Sequence, residues 1–288
     1  MTGIEQSIIA GKVLGSAAKA AAEDPKEREV LRELAMESGA LNPAARAYAK
    51  RLAVKEQIRM KIWQPLGMLF GISRDYFEND FADDMADRIA RIPEDQLITP
   101  RLSVAGPSVQ GIAFTIAEPE LKAMYLNLLA AAADKRVANS AHPSFAEIIR
   151  QISTEEAVVL GPVLQQSTHA IVEIRVKAAT VDQPEESGFI TSDRNIMNWT
   201  NQGTQFAAPE RALYIDNWER LGLIKVAFDT FLTDPTAYAW TESQPQVIIA
   251  REEFDTEEFK RIECQPGYLM VTDFGRAFYQ MVIAPRLD

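Results

Sequence analysis

The run EPELKAMYLNLLAAAADKRVANSAHPSFAEIIRQIS, residues 118–153, constrains the fold more than any other part of the chain. Pro119 suits a first helical position, because it has no N–H to lose there and its φ is already helical. Leu121, Met124, Tyr125, Leu128 and Ala132 recur at three-to-four spacing, which stacks them on one side of a helix. The small apolar stretch Leu128 to Ala133 lets a neighbouring helix approach closely. An irregular link follows, opening on His142-Pro143-Ser144. Ser144 stands three before Glu147, and Ser153 three before Glu156. Each pair has the form of a capping box, so helices are expected over FAEIIRQI and EEAVVLGPVLQQ.

Residues 1–105 read as helical, with breaks at Asp24-Pro25, Gly39 to Pro43, Gly71 and Ile92-Pro93. Asn42 caps and Pro43 opens a helix carrying Arg46, Lys50, Arg51, Lys55, Arg59 and Lys61 against the single acid Glu56. Spacing of four aligns Arg51, Lys55 and Arg59. The next helix, from Ser73 to about Arg91, is acidic, with Asp75, Glu78, Asp80, Asp83, Asp84 and Asp87. The alternation of sign suggests that the two helices complement one another.

The last third changes character. PERALYIDNWERLG is a helix from Pro209 that stops at Gly222. LIKVAFDTFL, AYAW, QVIIA and GYLMV are candidate strands, and Thr272 caps a final helix, DFGRAFYQMVI. QSTHAIVEIRVKA, around His169, reads as a helix end or the start of a strand. The expected fold is mainly α, with a smaller α+β winged-helix-like module at the C-terminus. Its domains would be a helical extension over 1–40, a helical core over 41–168, and the winged-helix-like module with an enlarged wing over 169–288.

Composition narrows the function. The net charge is −11, so the molecule as a whole is repelled by phosphate backbones and anionic lipid. Residues 150–288 hold 12 Lys and Arg against 21 Asp and Glu, a poor balance for a module that must release counterions from DNA. A single cysteine, Cys264, rules out an internal disulfide and a cysteine-rich zinc site, and it suits a reducing cytoplasm. No stretch nears the roughly 20 apolar residues of a membrane-spanning helix, and the N-terminus carries Glu5 where a signal peptide wants positive charge.

Candidate chemistry is sparse. His142 precedes Pro143 and either holds the turn or transfers protons, with the structural role favoured because no nucleophile motif accompanies it. Asp80, Asp83, Asp84 and Asp87 share one helix face and could offer oxygens to a divalent cation, although a solvated or ion-paired face is far commoner. No glycine-rich phosphate loop is present. Asp273-Phe274-Gly275 matches a kinase tripeptide by chance, since the rest of the kinase signature is missing.

The pattern of a Leu/Ala-rich helix, Asp134, His142-Pro143-Ser144-Phe145, Glu147-Ile148-Ile149 and Ile152-Ser153 resembles the abortive infection alpha family, a bacterial domain of unknown function. The resemblance covers roughly residues 40–165, and ERLGLIKV and YLMVTDFGRAF look like the family's C-terminal end. A long acidic insertion between those two pieces, and a longer N-terminal region, depart from the pattern. The resemblance implies antiphage defence, with no enzyme activity and no cofactor to carry over. It leads us to expect a non-enzymatic cytoplasmic protein that binds another protein, a second copy of itself included. The candidate surface is Arg46, Lys50, Arg51, Lys55 and Arg59 with His142, Pro143, Ser144 and Phe145. The rival expectations are a DNA-binding regulator using the winged helix or the basic helix, and a metal-dependent hydrolase using the acidic helix.

Overall fold

A computed structural model of the chain describes residues 74–178, 188–201, 204–205, 211–255 and 260–284. Arg46, Lys50, Arg51, Lys55 and Arg59 lie outside the described residues, as does the expected N-terminal helix. The chain divides into two compact units. Of the described residues, one takes 74–116 with 129–139 and the other 117–128 with 140–284.

In the first unit, the acidic stretch folds as α1 (Arg74–Asn79) and α2 (Phe81–Ile89). Phe81, Met85, Ala86 and Ile89 form the buried stripe of α2, while Asp83 and Asp87 face outward. The Tyr76, Phe77 and Phe81 rings meet at 5.2 to 6.3 Å and fill the corner between the helices. After a short 3-10 turn comes α3 (Leu102–Phe114), whose buried Val104, Ala105, Ser108, Val109 and Ile112 again follow the helical period.

The helix α4 (Pro119–Ala133) begins in the second unit and ends in the first. Leu128 to Ala133 are buried at every position, as a stretch that is apolar all round requires. Its end is held in the first unit, where Ile98 N–H donates to Ala133 O and Lys135 N–H to Gln96 O. Asp134, 1% exposed, receives Arg136 through the backbone N–H, Nε and Nη2 at 2.8 to 3.2 Å, which neutralises its buried carboxylate.

The second unit continues with α5 (Ser144–Ile149), α6 (Thr154–Gln165), β1 (Thr168–Ala178) and β2 (Phe189–Met197). There follow a small hairpin of β3 (Thr200–Asn201) and β4 (Thr204–Gln205), then α7 (Arg211–Arg220), β5 (Ile224–Ala227) and α8 (Pro245–Phe254). The chain closes on β6 (Lys260–Val271), α9 (Asp273–Phe278) and a π-helical turn, Tyr279–Ile283. Gly222 ends α7 at φ 76°, the left-handed stop its position after Leu221 predicts.

The fold class differs from the sequence expectation: the protein is α+β, built around a four-stranded antiparallel sheet in the order β2-β1-β6-β5. The described residues form no winged helix. The long pair β1 and β6 stays in register from Thr168 opposite Met270 to Ala178 opposite Lys260. The stretch between β5 and β6 is no strand-built wing. Pro235 and Pro245 each stand at the start of a helical turn, so AYAW enters a 3-10 turn and QVIIA enters α8. Val247 and Ala250 then face the sheet one turn apart, and that packing overrides the β-preference of Val and Ile. The DNA-binding expectation loses the module on which half of it rested.

Candidate functional site

The turn singled out by sequence, His142 to Phe145, lies in the second unit. Backbone torsions at Pro143 (φ −56°, ψ −34°) are already helical, so α5 opens one residue earlier than a Ser144 cap would allow. Ser144 therefore makes no capping box with Glu147. Its backbone N–H donates to His142 Nδ1 at 3.2 Å, and its hydroxyl meets the same nitrogen at 2.6 Å. An N–H can only donate, so Nδ1 accepts both and the ring proton sits on Nε2. Glu147 pairs instead with Arg150.

Phe145 is fully buried, and so it anchors the turn from below and presents no surface of its own. Its ring meets Phe274 at 5.2 Å and Phe278 at 5.4 Å, while His142 lies over the edge of this group, 5.9 Å from Phe145 and 5.8 Å from Phe274. Tyr125 Oη donates to Ala146 O at 3.3 Å, and burial pushes its phenol up to about 12. His142 and Pro143 are exposed and Ser144 is half-buried. A base beside a hydroxyl is a motif of nucleophilic catalysis, and the same contact between residues two apart also closes a turn.

Three elements meet beside this turn. Ser153 and Glu156 complete the predicted capping box in both directions, with Glu156 N–H on Ser153 Oγ at 3.2 Å and Ser153 N–H on Glu156 Oε2 at 2.7 Å. The other oxygen of Glu156 accepts Asn217 Nδ2 at 2.9 Å, and Arg220 reaches Gln151 Oε1 at 3.0 Å, so α6 is fastened to α7. Asp273-Phe274-Gly275 has a local role. Thr272 Oγ1 accepts Gly275 N–H at 2.8 Å, Phe274 joins the rings, and a Cβ on Gly275 would lie 2.0 Å from Leu223 O. His169, half-buried, donates Nε2–H to Val163 O at 2.8 Å; its burial lowers the imidazole below its usual range.

Asp84 takes the Tyr76 hydroxyl at 2.7 Å, and among the described residues no group of three or more His, Cys, Asp or Glu side chains is placed to hold a metal ion. Among the described residues no helix is long and apolar enough to cross a membrane.

One charged cluster escapes a reading for motifs. Glu173, 4% exposed, lies on the sheet between Arg175 at 2.6 Å and Arg194 at 3.4 Å, and Arg175 stacks on Phe189 at 4.2 Å. Beside it, Asn195 takes φ 59° in an irregular stretch of β2 and donates Nδ2 to Asp216 Oδ1 at 2.6 Å. The available signal was the alternation of Glu173, Arg175 and Lys177 with Val172, Ile174 and Val176.

No curated protein and no solved structure matches the chain. The model of one family, described as abortive infection alpha, matches residues 73–282, well over half of the chain. The match runs through the His142 turn, the sheet and α9, including the insertion before β6. The chain therefore belongs to the abortive infection alpha family.

Proposed function

We propose that this protein acts in bacterial abortive infection, an antiphage response, by binding another protein and without catalysing a reaction itself. Family membership supports the role. The outer face of α8 supports the mode. Val247 and Ala250 turn inward, which leaves Ile248 and Ile249 at 45% and 60% exposure with the exposed Glu252 one turn further on. An apolar pair followed by an acid fits a partner surface that is apolar and basic. The chain's own stretch from Arg46 to Lys61 has that chemistry, so a second copy qualifies as a partner. The His142 turn, braced from below by Phe145, acts as scaffold in this reading.

The test is survival under phage challenge. Cells carrying the gene are expected to form fewer plaques than cells without it, and Ile248→Asp with Ile249→Asp is expected to abolish the difference while leaving the melting temperature of the purified protein unchanged. Equal plaque counts with and without the intact gene, across a broad phage panel, would remove the defence role. Full protection by the double variant would remove the contact face.

A further inference from the structure

The insertion between β5 and β6 does not cover the whole of the sheet face it lies on. Val247 and Ala250 of α8 pack with Val172, Ile174, Val176, Ile196 and Ile262, and Tyr238, Trp240, Phe254 and Cys264 close around them. At one border of this core a cleft of about 400 Å³ opens, between Phe231–Thr233 and Tyr238–Glu242 on one side and Val172, Cys264 and Pro266 on the other.

Hydrogen bonds brace its walls. Tyr238 Oη accepts Leu232 N–H at 2.9 Å and donates to Gly267 O at 2.7 Å, pinning the insertion to β6. Asp234 accepts both the N–H and the hydroxyl of Thr236, and Trp240 Nε1 donates to Ala237 O at 2.7 Å. Arg251 bridges Glu242 and Asp255, and Asp255 accepts Ile262 N–H at 2.8 Å. A cleft held open in this way loses little freedom when something fills it.

Its chemistry is mostly carbon, from Val172, Leu232, Ala239, Pro266 and the 60%-exposed ring of Phe231. Water there finds few polar partners. Thr241, 6% exposed, lines the cleft, and its buried hydroxyl meets no hydrogen-bond partner. The one charged wall residue, Glu242, is already matched by Arg251. Burial, with help from Glu242, pushes the Cys264 thiol up, so this wall is neutral near pH 7.

We propose that the cleft between the insertion and the sheet is a binding site for an uncharged, mainly apolar molecule of one or two rings, bearing an acceptor for the Thr241 hydroxyl. The volume falls at the lower end of small-molecule sites, roughly 300 to 1,000 Å³. An anion would meet the Glu242 carboxylate, and a cation would compete with Arg251 for it. Turning Thr241 about its Cα–Cβ bond carries the hydroxyl to a neighbouring staggered position, which gives the unpaired group a route to a bound acceptor.

Cys264 is the only cysteine of the chain, so alkylation reports on one wall of the cleft. The full chain is titrated with N-phenyl-1-naphthylamine, which is uncharged, and with its anionic relative 1-anilinonaphthalene-8-sulfonate. The neutral probe is expected to saturate at one per chain, to slow the reaction of Cys264 with N-ethylmaleimide about tenfold, and to bind about tenfold more tightly than the anionic one. Protein alkylated beforehand, and Cys264→Phe, are expected to lose binding, whereas Cys264→Ser keeps it. Fluorescence that never saturates, an unchanged alkylation rate, or equal binding of the two probes would each overturn the proposal. The alkylation arm uses the unaltered chain, so it decides even where Cys264→Phe fails to fold.

Discussion

The aromatic group beneath the His142 turn and the insertion between β5 and β6 are held by different forces. Phe145 and Phe278 are wholly buried, and their rings touch at core distances. The insertion leans on Arg251, which is 40% exposed and shared by two carboxylates, and on the Tyr238 hydroxyl. Dispersion and burial act alone at the first site; at the second they are confined to the face of Val247 and Ala250, and directional contacts near water hold the rest. The first therefore melts with the whole second unit, while the second can loosen by itself.

Truncation at the ring cluster is the strongest way to break the contrast. Phe145→Ala is expected to cost about 4 kcal/mol in urea unfolding, the range for deleting a buried ring. Gly275→Ala should cost roughly 3 kcal/mol, because its Cβ would have to push back the Leu223 carbonyl 2.0 Å away. Arg251→Ala should cost only about 0.5 to 1 kcal/mol, since exposed ion pairs contribute little. Its effect should show locally, as faster hydrogen exchange in residues 229–255 with α5 unchanged. Equal losses from Phe145→Ala and Arg251→Ala would end the distinction.

Acid sharpens it with smaller effects. Asp255 is held below the usual carboxylate range by the Ile262 N–H and then by Arg251, and Glu242 by its hydrogen bond from Arg251. Both are depressed in the fold, so their contribution is present above an unfolded value near 4 and fades as pH falls through the folded values. The insertion is expected to gain exchange below about pH 4. His169 is depressed by burial, so the unfolded chain binds its proton first. Stability from this site is complete above about pH 6.5 and declines as pH drops toward the folded value. The melting temperature should fall between about pH 7 and 5.5, and His169→Gln should flatten that fall. An identical slope in the variant would exclude His169 as the cause.

Local signals in the sequence carried far. The Ser153–Glu156 capping box, the Gly222 stop, the Thr272 cap and the helical face from Leu121 to Leu128 are all present. Each depends on neighbours within a few residues. The sheet was harder to see because its partners are distant: Val172 pairs with Pro266, and β2 is largely polar. QVIIA looks like a strand by residue type; Pro245 before it is a helix-start signal, and the sheet face beneath Val247 and Ala250 holds the helix in place. At the candidate site, Phe145 was legible as important, but its neighbour Phe274 lies more than a hundred residues on, so no spacing rule could have joined them. The cleft beside Cys264 exists only through tertiary contacts, and no motif marks it.

Each unit draws chain from both sides of Leu128. No single scission can then part the two cleanly: a break after Ile116 leaves residues 129–139 of the first with the second, and a break after Asn139 leaves residues 117–128 of the second with the first. Whichever side of α4 is cut, at least one fragment is short of part of its core. Dissection of this molecule calls for point substitutions in the intact polypeptide.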